Sequence, residues 1–181
     1  FFFFFISLGI DSGAPDGKVL TSNAALRTYL DISRSSITDL TGIEAFVSLT
    51  TLSCDKNQLT TINLSQNIKL TNLNVAENQL TSLDITSNVL LKELDCQRNQ
   101  ITDLDVSKNI KLVSLKTMVN QLTALELSYN NLLTDLDVSS NKLINLNIDN
   151  NTALKKLICE KNSLTSLNTS NNTLLTSFGC H

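Results

Sequence analysis

Paired carboxylates are the residues in this chain best placed to do chemistry. Glu93 and Asp95 stand two apart, as do Asp135 and Asp137, and Lys116 and Lys156 interleave with them at regular spacing. A second set comprises Asp84, Asp103, Asp105 and Glu126. Adjacent carboxylates offer hard oxygens to calcium, or an acid and a base to a reaction. Ser, Asn and Lys separate these carboxylates, however, and no long loop is available to fold over and dehydrate them, as a catalytic pocket requires. The expectation is therefore a solvated acidic face, with no catalytic residue, no metal and no cofactor. The other nucleophile chemistries lack partners. The chain has 1 His, the terminal His181, so neither a Ser/His/Asp nor a Cys/His arrangement can form. The 5 glycines form no phosphate-cradling array, and the 4 cysteines show no CxxC spacing.

Composition narrows the classes further. With 17 Asp+Glu against 14 Lys+Arg, the net charge is −3, a balance that gives no electrostatic footprint for nucleic acid. No run of 18 or more apolar residues could cross a membrane as a helix, although a membrane-associated assembly remains compatible with the sequence. A small-molecule substrate is not expected.

The elements that carry these residues come from an internal repeat. Counting Leu49 as position 0, leucine recurs every 21 residues at Leu70, Leu91, Leu112, Leu133, Leu154 and Leu175. Position +3 is Leu52, Leu73, Leu94, Leu115, Leu136, Leu157 and Phe178; position +5 is Cys54, Val75, Cys96, Thr117, Val138, Cys159 and Cys180. Position +8 is always asparagine: Asn57, Asn78, Asn99, Asn120, Asn141 and Asn162. The second half copies the first, with apolar residues at +10, +13 and +15. Asparagine is again invariant at +18: Asn67, Asn88, Asn109, Asn130, Asn151 and Asn172. The unit reads LxxLxCxxNxLxxLxLxxNxx.

Alternation of apolar +3 and +5 with polar +2 and +4 has the period of a strand with one buried face. The same alternation at +13 and +15 predicts an extended segment on the opposite side. One coil cannot bury its own leucines; coils stacked about 4.8 Å apart bury them as one column. The asparagines fall where the chain must turn, and their amides can satisfy backbone groups that no strand pairs, or bond along the stack as ladders. At +5 a free cysteine acts as a small apolar residue. Cys54 and Cys96 are two coils apart, about 9–10 Å and too far to bridge. Cys159 and Cys180 occupy adjacent coils, within bridging distance, but both point inward, which leaves a bridge open.

Six such units cover 49–174, preceded by an atypical 22-residue unit, 27–48, in which Leu30, Ile32, Ile37 and Leu40 take the repeat positions. Ile43 and Phe46 there have the spacing of a short helical turn. Residues 1–26 are expected to be an N-terminal segment and cap. Residues 175–181 open a further repeat and stop partway, so the chain is expected to continue, or a partner to cover that end. Phe1–Phe5 has three readings: the end of an apolar leader, an anchor, or an uncertain assignment.

The repeat resembles the leucine-rich repeat family, specifically a short bacterial class with nested 21-residue units. Segments such as NQLTSLD, with Cys or Val at +5, are similar to those of secreted or surface-anchored proteins of Bacteroidota. The resemblance implies a β-rich solenoid with short parallel strands on the concave side, extended or turn segments on the convex side, and little helix. It also implies a non-enzymatic module, exported to the bacterial surface, that binds another protein or a surface ligand through its exposed strand face. The alternative it leaves open is a structural or accessory subunit, or exported cargo, of an outer-envelope complex. The face this singles out comprises Asn72, Asn74, Glu93, Asp95, Gln97, Lys116, Met118, Asp135, Asp137, Lys156 and Ile158, with Met118 and Ile158 apolar on a polar surface.

Overall fold

A computed structural model describes residues 21–180. Phe1–Phe5, most of the expected cap and His181 lie outside the described residues. The described residues begin with a short helix α1 (Thr21–Leu26), followed by eight three-residue strands. These are β1 (Tyr29–Asp31), β2 (Thr51–Ser53), β3 (Asn72–Asn74), β4 (Glu93–Asp95), β5 (Ser114–Lys116), β6 (Asp135–Asp137), β7 (Lys156–Ile158) and β8 (Ser177–Gly179). They form one parallel sheet in chain order, each strand hydrogen-bonded to the next. The molecule is a parallel β-solenoid with almost no helix, as the repeat predicts.

Register follows the sequence. Leu30 pairs with Leu52 across the 22-residue unit; thereafter Leu52, Leu73, Leu94, Leu115, Leu136, Leu157 and Phe178 pair successively. Each +3 leucine points into the column, and the leucines at 0 and +10 close it from the sides. Leu49, Leu70, Leu91, Leu112, Leu133 and Leu154 are fully buried, as are Leu59, Leu80, Leu122 and Leu143. The +13 and +15 residues pack from the convex side without forming a second sheet. The inter-coil backbone bond on this side falls before those segments, from +9 to +10, as in Gln79 N–H to Leu59 O and Gln100 N–H to Leu80 O. In the atypical unit, Ile43–Ala45 forms one turn of 3₁₀-helix, and Ile43 and Phe46 are buried. Gly42 leads into it at φ 103°, a conformation that suits glycine.

The asparagines hold the corners, but by a different bonding pattern from a side-chain ladder. At +8, Asn78 Oδ1 accepts the Leu59 N–H of the preceding coil, while its Nδ2 donates to Cys54 O and Val75 O. The pattern recurs at Asn99, Asn120, Asn141 and Asn162. At +18 only the amide nitrogen is used: Asn88 Nδ2 donates to Leu64 O and Asn67 O. The six +18 Oδ1 atoms are buried and accept no hydrogen bond from the protein. Each asparagine thus joins its side chain to neighbouring backbone rather than to the side chain of the next asparagine. A planar amide nitrogen has two N–H donors and reaches two backbone carbonyls at once.

The +5 column is buried from Cys54 to Cys159, with Cys54 and Cys96 free, and Cys180 is partly buried. Cys159 and Cys180 are joined as a disulfide, their Cα atoms 4.7 Å apart. Inward orientation is no obstacle, because in-register neighbours of a parallel sheet point the same way and lie side by side.

Candidate ligand-binding strand face

The outward residues of the strands form two rows on the concave side. The +2 row runs Asn72, Glu93, Ser114, Asp135, Lys156; the +4 row runs Asn74, Asp95, Lys116, Asp137, Ile158. Gln97 and Met118, at +6, lie just past their strands and are half-buried. Glu93, Lys116 and Lys156 are exposed, and the remaining strand members are half-buried. The structure therefore brings all eleven expected residues onto one face. It also adds some that the sequence reading passed over. Thr51, Ser53 and Ser114 line the same shallow depression of about 300 Å³ with Asn72, Asn74, Glu93, Asp95 and Lys116. Asp55 joins through the bond from Asn74 Nδ2 to its Oδ1, at 3.0 Å. The missed signal was positional, since Thr51, Ser53 and Asp55 occupy +2, +4 and +6 of the first full unit.

Asp95 lines this depression. Its Oδ2 lies 3.8 Å from Lys116 Nζ and accepts a 3.1 Å bond from Gln97 Nε2. Burial raises the Asp95 carboxyl above the ordinary carboxylate range; bonds from Gln97 and the Lys116 charge oppose the rise, and the Asp55 charge adds to it. Asp137, on the far side of Lys116 in register, accepts the Ser139 backbone N–H at 3.0 Å and the Ser139 hydroxyl. Asp135 accepts the Thr134 hydroxyl at 2.7 Å.

These contacts change the meaning of the carboxylates. At +4, Asp31, Asn74, Asp95 and Asp137 each accept the backbone N–H two residues on, closing the turn after the strand. The same occurs at +14, where Asn63, Asp84, Asp105, Glu126, Asn147 and Asn168 all accept the N–H of residue +16. Bonds from Thr86, Ser107 and Ser128 hold Asp84, Asp105 and Glu126 below the usual carboxylate range. A serine or threonine two positions after an acid is the sequence sign of such a turn, and these acids are turn-formers first. Among the described residues, no group of three or more His, Cys, Asp or Glu converges as a metal site would. Burial pushes the Cys54 and Cys96 thiols far above their ordinary range, which makes them poor nucleophiles. The face suits complementary contact: charges of alternating sign on a rigid sheet, around a shallow polar depression.

No family model matches the chain. Over 43 residues, 24% of its length, it is 54% identical to Internalin J of Listeria monocytogenes serotype 4b, of which it spans 5%. Over 94% of its length it superposes on an internalin, InlF, of the same species, with TM-score 0.88 and 27% identity. That match covers 52% of the InlF chain, so this chain spans about half of its structural relative. It also superposes, with TM-score 0.71 and 25% identity, on the leucine-rich repeat ectodomain of the receptor kinase GASSHO1/SCHENGEN3 from Arabidopsis thaliana, solved in complex with Casparian strip integrity factor 2. That match covers 79% of this chain and 19% of the ectodomain. The fold is that of leucine-rich repeat proteins of the internalin kind.

Proposed function

We propose that this leucine-rich repeat solenoid is a non-enzymatic module, exported to a bacterial surface, that binds another protein through its concave strand face. The observation that carries the reading is the in-register row Asp95–Lys116–Asp137, set on a rigid sheet around a polar depression. Such a surface matches a partner's charges and hydrogen-bonding groups without enclosing a small molecule. The resemblance to internalins, and to a receptor ectodomain solved in complex with Casparian strip integrity factor 2, supports it. Membership of a 21-residue class akin to secreted proteins of Bacteroidota belongs to the same proposal.

Photo-crosslinking residues placed at Glu93 and Lys116, with a convex control at Asp103, test the reading. Cross-links to one protein from the concave positions, lost on Asp95→Lys/Asp137→Lys, are expected. Equal capture from Asp103 would overturn it. The accessory-subunit alternative docks through the ends of the chain rather than this face, and is distinguished by co-purification from the native source at fixed stoichiometry.

A further inference from the structure

A second surface, away from the strand face, carries its own signal. The turn that leads into each strand is closed by a bond from the 0-position N–H to the +18 carbonyl, as in Leu70 N–H to Asn67 O and Leu112 N–H to Asn109 O. Its second residue, at +19, is exposed, and polar residues suit it. Asn131, Thr152 and Thr173 fill it in the later coils, with the same closing bonds. In the first four coils it holds Val47, Ile68, Val89 and Ile110, which are 44%, 54%, 44% and 53% exposed. The backbone does not require aliphatic residues there, because the later coils make the same turn without them. Four stacked coils extend this row over roughly 15 Å.

Charge segregates onto the same corner. Lys69, Lys92, Lys108, Lys111 and Lys155 lie in the segments 66–71, 87–92, 108–113 and 150–155, and no Asp or Glu occurs at this corner in any coil. All five are exposed, and neither ion pair among the described residues uses one of them. The neighbouring convex face is the reverse, with Asp84, Asp103, Asp105, Glu126 and Asp149 and no lysine or arginine between +10 and +16.

We infer that this corner seats the protein on an anionic lipid surface, the aliphatic row entering the headgroup boundary and the lysines meeting lipid phosphates. A protruding edge needs no complementary groove in a fluid surface, and aliphatic side chains beside lysines without acids form the pattern that binds such a surface. A second copy fits less well. The acidic convex face would match the lysines but offers the aliphatic row no exposed apolar row in return, Ile144 being its one large exposed apolar side chain among the described residues. The acidic face turns away from the lipid, which leaves the concave face free for a protein. The inference does not depend on what that face binds.

The test is co-sedimentation of the whole chain with vesicles of phosphatidylcholine alone or mixed with phosphatidylglycerol. Binding to the anionic vesicles only, weakened by salt, is expected. Ile68→Asn/Ile110→Asn, which copies the residue at 131, and Lys69→Gln/Lys111→Gln should each reduce it by roughly tenfold while circular dichroism stays unchanged. The lysine pair keeps the test valid should the isoleucine pair unfold. Equal binding to both vesicle types, or anionic binding that survives both pairs, would overturn the inference and point elsewhere, the Phe1–Phe5 run included. Self-association by sedimentation velocity, abolished by the same pairs and without vesicle binding, would also overturn it in favour of a second copy.

Discussion

Backbone geometry at single residues sets two separable energies in each coil. Position +7 is left-handed throughout: Lys56, Glu77, Arg98, Val119, Ser140 and Lys161 have φ between 53° and 56°. Val119 is β-branched and strained there. Val119→Gly or Val119→Asn is expected to raise stability by about 1 kcal/mol, read as a higher urea midpoint at constant slope. A lower midpoint would show that Val119 packs more than its exposure suggests. The next residue, +8, does the opposite work. Asn99→Ala strands the Leu80 N–H in the core and leaves the Val75 and Cys96 carbonyls with one amide bond each, from Asn78 and Asn120. At about 1–3 kcal/mol for a buried group left unpaired, it should lower the midpoint well beyond the gain at Val119.

At the scale of the strand, Asp95 adds a pH dependence whose sign differs from that of the turn-forming acids. Its carboxyl is raised, chiefly by burial. The folded state therefore holds its proton more tightly than the unfolded chain. Its contribution is full below the unfolded value and is lost as pH rises through the folded one. Asp84, Asp105 and Glu126 are lowered, so what they contribute is present above their unfolded values and lost as pH falls. Asp95→Asn should therefore gain stability over the native chain at neutral pH, with the difference shrinking as pH falls toward the ordinary aspartate range. Thermal melts of both proteins across that window check it; a difference that grew on acidification would contradict the assignment. The eleven residues of the face were legible because alternation fixes which side chains point outward. Their bonds were not, because the distance from Asp95 to Lys116 depends on the side-chain rotamers each adopts in its own surroundings.

Taken whole, the molecule is close to one-dimensional, each coil touching only its neighbours. Its last coil is the least covered: Leu164, Leu167 and Leu175 are only partly buried, and Phe178 is 56% exposed. The Cys159–Cys180 bridge ties that coil to the one before it, closing a loop of 21 residues. Loop closure of that size is worth about 3 kcal/mol in the chain-entropy picture. Reduction should speed amide exchange in the segment 160–180 and leave the coils from 49 to 140 protected. Loss of protection along the entire chain would show that the solenoid unfolds as one unit.

By itself the sequence determined the solenoid, its strand register, its buried columns and its outward face, because a strict 21-residue period admits one stacking that buries every leucine. It also placed asparagine at the corners. Only the tertiary structure decided which atoms those asparagines bond, that Cys159 and Cys180 pair, that the +4 and +14 acids close their own turns, and that Val47, Ile68, Val89 and Ile110 share an exposed edge with the lysines. Apart from the acid turns, which are local to one coil, each of these depends on distances between coils, and a one-dimensional pattern specifies neighbours along the stack without specifying which of their atoms meet.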